Sequence, residues 1–257
     1  MTEHVITEVR DQIQIVRLNR PERKNALSKA MYAALADAIT SAESDVGIRC
    51  TLITGNEQCF TAGNDLADFS AGPASDFENS PAGRFLFSLA NAEKPVVAAV
   101  NGPAVGIGTT MLLHCDLVFA GNNTGFQMPF VNLGLCPEGG SSLLLPEWLG
   151  RVRAAELLLL GGTFDAPKAA EMGLINRVCD PAATESEALA ACAQLAAQPP
   201  AAIRATKRLL NRRNTTELRE ALLTEGAQFS ERLKSPEAAE AFRAFAEKRK
   251  PDFSAFS

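Results

Sequence analysis

The run from Val96 to Leu113 sets the tightest limit on what this chain can fold into. Val96-Val97-Ala98-Ala99-Val100 is short and apolar, the pattern of a buried strand. It breaks into Asn101-Gly102-Pro103-Ala104-Val105-Gly106-Ile107-Gly108-Thr109-Thr110, with three glycines, and resumes as Met111-Leu112-Leu113, the body of a buried helix. A strand that turns through glycines into a helix exposes backbone N–H groups at the helix N-terminus, where they suit an anion or an oxyanion. The run has neither the dinucleotide pattern G-x-G-x-x-G nor the Gly-Lys-Ser/Thr ending of a phosphate loop, so neither nucleotide fingerprint applies. Pro95 to Cys115 is uncharged and long enough to consider as a membrane span. Asn101, three glycines and two prolines argue against it, because they would break a lipid-exposed backbone. Further on, Glu138 lies between Pro137 and Gly139-Gly140, placed to move a proton beside a carbonyl that the loop polarises.

The rest of the chain reads as alternating strands and helices. Val5 to Val9 and Ile13 to Leu18 flank Asp11-Gln12 as a β-hairpin. Asn19 to Ala26 is a charged loop carrying Arg20, Arg23 and Lys24, and Ser28 caps a helix through about Ala42. Cys50 to Thr54 is a strand ending at Gly55, and the loop after it contains Cys59-Phe60-Thr61-Ala62-Gly63-Asn64-Asp65-Leu66. Ser70 to Ser80, rich in Ser, Gly, Pro and Asp, is expected to be mobile and to border a substrate entrance. Helices are expected over Arg84–Ala92, Arg151–Leu160 and Ala166–Met172, and strands over Asp116–Ala120, Gly125–Gln127 and Leu174–Val178. Beyond Glu185 the pattern is helical, interrupted at Gln198-Pro199-Pro200 and Ser235-Pro236. This order predicts an α/β core with an α-helical C-terminal subdomain, divided at 1–195 and 196–257.

A formal net charge of −5 over 257 residues gives no electrostatic case for nucleic acid or an anionic membrane, although a local basic patch could hold a nucleotide-bearing substrate. Six cysteines without a C-x-x-C pair, and only His4 and His114, make a structural zinc site improbable; no metal is expected. The cysteines read as buried thiols in a reducing compartment. His114, within Leu112-Leu113-His114-Cys115, reads as a packing residue. Met1-Thr2-Glu3-His4 is no signal peptide and Phe256-Ser257 completes no targeting tripeptide, so the expected location is cytoplasmic.

Several segments, in order, resemble the crotonase (enoyl-CoA hydratase/isomerase) superfamily over nearly the whole chain. They are Leu18-Asn19-Arg20-Pro21 with Asn25-Ala26-Leu27, Phe60 to Leu66, and Val100-Asn101-Gly102-Pro103-Ala104. Pro137-Glu138-Gly139-Gly140, Pro199-Pro200 and Glu247-Lys248-Arg249-Lys250-Pro251-Asp252-Phe253 complete the set. The resemblance implies a spiral of β-β-α units, C-terminal helices in subunit contacts, and a homotrimer or dimer of trimers. It implies an acyl-CoA thioester as substrate, with coenzyme A part of that substrate and no separate cofactor.

Carried over by position, the resemblance makes the N–H groups of Asn64 and Ile107 an oxyanion hole. Hydratases of the family use two glutamates; here Thr110 and Phe130 stand at those places, leaving Glu138, where the Δ3,Δ2-enoyl-CoA isomerases carry their acid. The implied function is a shift of a 3-enoyl-CoA double bond to the 2-trans position, as in fatty-acid degradation. Hydration, thioester hydrolysis, and a non-catalytic acyl-CoA-binding or RNA-binding member are the alternatives. Phe126, Phe130, Leu133 and Leu135 are expected to desolvate Glu138 and raise its pKa. Ala62, Gly63, Asp65, Leu66, Lys24 and Phe130 are the expected substrate contacts, with Asp65 holding the loop and Arg20, Arg23 or Lys24 meeting CoA phosphates. Phe69, Phe77, Phe85, Phe87 and Met128 are expected to set the depth of the acyl pocket. Phe242, Phe245 and Phe253 read as core or subunit-contact residues.

Overall fold

A computed structural model describes residues 2–69, 76–211 and 215–256. The Ser70–Ser80 entrance segment therefore lies largely outside the described residues, as does the Phe69 side chain. The strands are β1 (Val5–Arg10), β2 (Ile13–Leu18), β3 (Cys50–Thr54), β4 (Val96–Val100), β5 (Pro103–Val105), β6 (Leu117–Gly121), β7 (Gly125–Gln127), β8 (Thr163–Asp165) and β9 (Arg177–Cys179). A six-stranded sheet runs β1-β2-β3-β4-β6-β9, and a three-stranded sheet runs β5-β7-β8. Only the β1–β2 hairpin is antiparallel in the large sheet; the other pairs are parallel.

A parallel sheet must be covered on both faces, which accounts for the continuous apolar runs of β3 and β4. Successive residues alternate between two cores. Val16, Ile53, Ala98 and Val100 share one cluster with Met31, Leu35 and Ile39 of helix α1 (Lys29–Ser44). Helices α2 (Leu66–Phe69) and α3 (Pro81–Ala90) follow, and Phe85, Leu86 and Leu89 of α3 complete that cluster. Ile15, Leu52, Val97 and Ala99 face the other way, onto Ala188 and Cys192 of a later helix, α8. Before it come α4 (Ile107–Thr110), α5 (Ser141–Leu149), α6 (Arg151–Leu160) and α7 (Ala166–Glu171); α8 itself spans Thr184–Ala196. The chain closes with α9 (Pro200–Leu210), α10 (Thr215–Arg232) and α11 (Pro236–Ala246). These helices fold back on the core. Leu222 of α10 is buried with the α1 and α3 cluster, and Ala238 of α11 is buried with Leu144, Leu145, Met128 and Phe130.

Four expectations need correction. The helix assigned to Arg84–Ala92 begins earlier, because Ser80 accepts from the Gly83 N–H and Pro81 opens the first turn. The strand assigned to Leu174–Val178 starts only at Arg177; Gly173, at φ +76, ends α7, and Ile175 is buried and Leu174 partly buried in the turn instead of pairing. The glycine run is not one loop. Pro103–Val105 pairs with Gly125–Gln127 before Gly106 turns the chain into α4. Met111–His114 continues α4 as a tighter 3-10 turn. Among the described residues no helix is long and apolar enough to cross a membrane.

Candidate active site

Two short segments bring the expected donors together. Thr61 pairs with Ala104 of β5, and Asn64 pairs with Leu27. In the second pairing Leu27 donates to Gly63 O at 2.8 Å and Asp65 donates to Leu27 O at 3.0 Å, so the peptide N–H of Asn64 is not used. Gly106, at φ +56, places the start of α4 opposite, where the Ile107 N–H is one of the first-turn donors that no helical carbonyl can reach. Among the described residues neither N–H has an acceptor. Asn64 and Ile107 line one cavity of about 340 Å³, and Glu138 lines it with them.

Glu138 is 8% exposed. Burial pushes its carboxyl up to about 8, with a further push from the negative charge on Glu225, against a hydrogen bond from Thr110 that pulls the other way. The Thr110 hydroxyl donates to Glu138 Oε1, so the residue at one of the two expected hydratase glutamate positions instead hydrogen-bonds the acid that is present. The raised pKa matches expectation, but the neighbours differ. Leu27, Phe77, Leu86 and Phe229 share the cavity with Glu138, whereas Phe130, Leu133 and Leu135 line a separate groove and Phe126 stacks on Phe164 in the core. The acyl-pocket residues need the same correction. Phe77 lines the cavity, but Phe85 and Met128 are buried in the core and Phe87 lies under the Arg219 guanidinium. Periodicity placed them on apolar faces without telling which face turned toward the cavity.

A second hollow of about 710 Å³ opens on the other side of Asn64. Ala62, Gly63, Asp65, Leu66, Lys24 and Phe130 all line it, together with Arg23 and Phe245. Asn64, Asp65 and Phe229 border both spaces, so the expected substrate contacts flank the expected catalytic ones. Arg23 and Lys24 are exposed at its rim, where two cations can meet an anionic group. The cavity also holds residues that local pattern did not single out. Tyr32 is buried with its hydroxyl donating to Asn64 Oδ1 at 2.5 Å, and burial with the charges of Glu138 and Asp68 holds that hydroxyl well above the usual phenol range. Gly226, Phe229 and Ser230 come from α10, and Leu233 from the turn just after it. His114 packs as expected but also donates from Nε2 to Gly139 O at 2.8 Å, burial keeping it neutral with a pKa near 4.

The donor loop rests on a buried polar frame. Asn25 is fully buried; its Oδ1 accepts from Arg20 N at 2.7 Å and its Nδ2 donates to Cys59 O at 3.0 Å and Phe60 O at 3.1 Å. Arg20 in turn pairs with Asp65 at 2.7 Å, and Asp65 accepts from Ala67 N at 3.1 Å. Those bonds, working against the cost of burial, hold the Asp65 carboxyl below its usual range, which suits a structural anion and not a base. Asn25→Ala takes a partner from Arg20 N, Cys59 O and Phe60 O, of which Cys59 O keeps the Asn56 N–H at 3.2 Å, and calorimetry is expected to show a loss of about 3 kcal/mol in unfolding free energy.

The sequence profile of the enoyl-CoA hydratase/isomerase family matches residues 8–255. The chain is 37% identical to 1,2-epoxyphenylacetyl-CoA isomerase of Escherichia coli over 98% of its own length and 99% of that protein. It is 31% identical to 2,3-dehydroadipyl-CoA hydratase of the same organism, covering 98% and 99%. The structure of OdaA from Pseudomonas aeruginosa superposes with a TM-score of 0.92 at 48% identity, over 95% of this chain and 99% of that one. With a fold of that shape and a profile match over almost its whole length, this chain belongs to the crotonase (enoyl-CoA hydratase/isomerase) family.

Proposed function

We propose that the protein is an acyl-CoA isomerase that moves a 3-enoyl-CoA double bond to the 2-trans position. The two Escherichia coli relatives are named as an isomerase and a hydratase, so the family match sets the class of enzyme and the site must choose the reaction. The observation that carries the choice is a single buried carboxylate, Glu138, in the cavity with Asn64 and Ile107, with Thr110 and Phe130 at the places where the resemblance puts the two hydratase glutamates. Adding water to a C=C calls for one group to activate the water and usually another to protonate the α-carbon. Moving a double bond calls for one proton taken from C2 and returned at C4, and one carboxylate can do both.

In this reading the thioester oxygen accepts from the Asn64 and Ile107 N–H groups, each worth about 3 kcal/mol as negative charge develops. The Glu138 carboxylate removes the C2 proton, and the electron pair spreads over the dienolate to the thioester oxygen. The Glu138 carboxylic acid then delivers the same proton to C4, leaving C2=C3. No atom or electron is gained or lost. The Thr110 hydroxyl stabilises the carboxylate between turnovers. The CoA portion lies in the outer groove, its phosphates toward Arg23 and Lys24. Exposed Val152, Leu159 and Leu160 on α6 are apolar surface of the kind subunits cover, which supports a homo-oligomer, a trimer or dimer of trimers being the form that the family resemblance implies; the expected location is cytoplasmic.

Side-by-side assays with 3-hexenoyl-CoA and crotonyl-CoA test the reading; rapid hydration of crotonyl-CoA without 3-enoyl turnover overturns it. An aryl thioester is the second reading, because Tyr32, Phe77 and Phe229 line the cavity and the isomerase relative is named for an epoxyphenylacetyl substrate. The pH profile adds an independent check. A base works only when ionised, and burial holds Glu138 near 8 instead of 4.5. Hence kcat/KM is expected to rise about tenfold per pH unit up to about 8 and then level off. A profile already flat from the ordinary glutamate range upward removes the raised base.

A further inference from the structure

Glu225 is a carboxylate with no part in the proton transfer, yet it is only 6% exposed. It lies on α10, and its Oε2 accepts from the Gly140 N–H at 2.6 Å while its Oε1 accepts from the Ser142 N–H at 2.8 Å. Both oxygens accept, the pattern of an ionised carboxyl. Helix α5 begins at Ser141 without a capping side chain of its own, so a residue from another helix supplies the cap.

The capped turn is the one that carries Glu138. Its Gly139 O accepts from His114, and the Ser141 hydroxyl donates to Glu138 O at 2.6 Å. Leu218 of α10 lies so close that a Cβ on Gly140 would come within 2.5 Å of it. Gly226, adjacent to Glu225, lets α10 approach Phe77, whose ring a Cβ there would overlap. The core thus holds the turn through His114, and α10 holds it through Glu225.

We propose that Glu225 is a positioning residue for Glu138: by holding the Gly140 and Ser142 amides it fixes the turn that carries the base, so the site is complete only when α10 is seated. The inference rests on Glu138 being the base. The groups facing Glu138 are Thr110 from α4, Tyr32 from α1, Cys136 two residues before it and Glu225 from α10, with Asp68 beyond Tyr32. Burial keeps Tyr32 and the Cys136 thiol neutral, the latter pushed up to about 11. Burial pushes the Glu225 carboxyl up and the Ser142 and Gly140 hydrogen bonds work against that; when ionised it is a like charge beside Glu138, so its removal both loosens the turn and makes Glu138 easier to ionise.

The test compares the intact protein with Glu225→Gln and Glu225→Asp, using 3-hexenoyl-CoA. The Gln variant keeps size and one acceptor but loses the charge. Its kcat is expected to fall at least tenfold with KM within about threefold, because a displaced base costs turnover and leaves thioester binding intact. The midpoint of its kcat/KM profile is expected to move about one pH unit downward, and carbon-13 NMR titration of the Glu138 carboxyl should show the same move without turnover. Unchanged kcat and an unchanged midpoint overturn the inference. If Glu225→Gln does not fold, Glu225→Asp decides. Its shorter side chain cannot span both amides, so wild-type kcat overturns the proposal and a lower kcat at constant KM supports it. Activity surviving in Glu138→Gln would instead sink the reading of Glu138 as base, a failure distinct from wild-type behaviour in the Glu225 variants.

Discussion

Replacing Glu138 with glutamine is expected to lower kcat for 3-enoyl-CoA isomerisation by about 1000-fold while KM changes by less than about threefold. The amide matches the carboxyl in size and can still accept from the Thr110 hydroxyl, so the packing around it should persist. What it cannot do is take a proton from C2, and no other acid in the cavity is placed to substitute. Asp65 is tied to Arg20 at 2.7 Å and to the Ala67 N–H, and Asp68 accepts from the Lys29 N–H at 2.7 Å. Glu225 has both carboxylate oxygens engaged by the amides of the turn, Gly140 and Ser142. The same change should stabilise the protein at alkaline pH. The folded-state carboxyl titrates near 8 and the unfolded one near 4.5, so the native protein loses stability as pH rises through that window, and glutamine carries no such cost. A kcat within tenfold of wild type would show that the proton moves elsewhere, and thermal unfolding at pH 6 and pH 9 checks the stability part.

Gly63→Ala is expected to reduce kcat by about 100-fold or more, through a residue that touches no reacting atom. Gly63 adopts φ +92, a conformation an alanine takes only under strain. A Cβ built there lies 2.8 Å from Val105 O, a backbone oxygen with no rotamer to relieve the contact. The added methyl must separate the 61–65 segment from β5, and the next peptide group is the Asn64 N–H. Moving that donor away from Ile107 weakens the stabilisation of negative charge in the transition state, so the loss should fall on kcat. Unfolding free energy should fall by only about 1–2 kcal/mol, because the strain is confined to one loop. Steady-state kinetics beside calorimetry separates the two effects. A variant that loses 1–2 kcal/mol of stability but keeps its kcat would show that Asn64 is not a donor to the reacting oxygen.

Much of the candidate site could be read from residue order because the proposed chemistry uses backbone groups and one acid. Glycines between a strand and a helix announce free N–H groups whatever surrounds them, and the family pattern named Asn64, Ile107 and Glu138 as a set. All three line one cavity. Leu174 and Ile175 show where pattern reading stops: β-branched and aliphatic residues bury equally well in a turn, and only pairing with a neighbour makes a strand. Phe85, Phe87 and Met128 show the same limit for a pocket, since an apolar side chain reads alike whether it faces a core or a cavity. Tyr32 sits one residue along from Met31 on a helix whose apolar stripe is plain in the sequence, but its hydroxyl acquires a role only through Asn64.

By itself, then, the sequence determined the alternation of strands and helices, the free amides after Val100 and the place of Glu138 as the candidate acid, because each follows from local composition or motif. Tertiary structure alone decided what that acid can do. Its pKa near 8 comes from burial beneath helices distant in the chain; its Thr110 hydrogen bond joins residues 28 apart in sequence, and Glu225 reaches its turn at Gly140 from 85 positions away. Desolvation and through-space charge depend on distances that residue order does not contain. The Val96–Leu113 run promised a place for negative charge. The packing of α10 against the Glu138 turn set a buried carboxyl beside it.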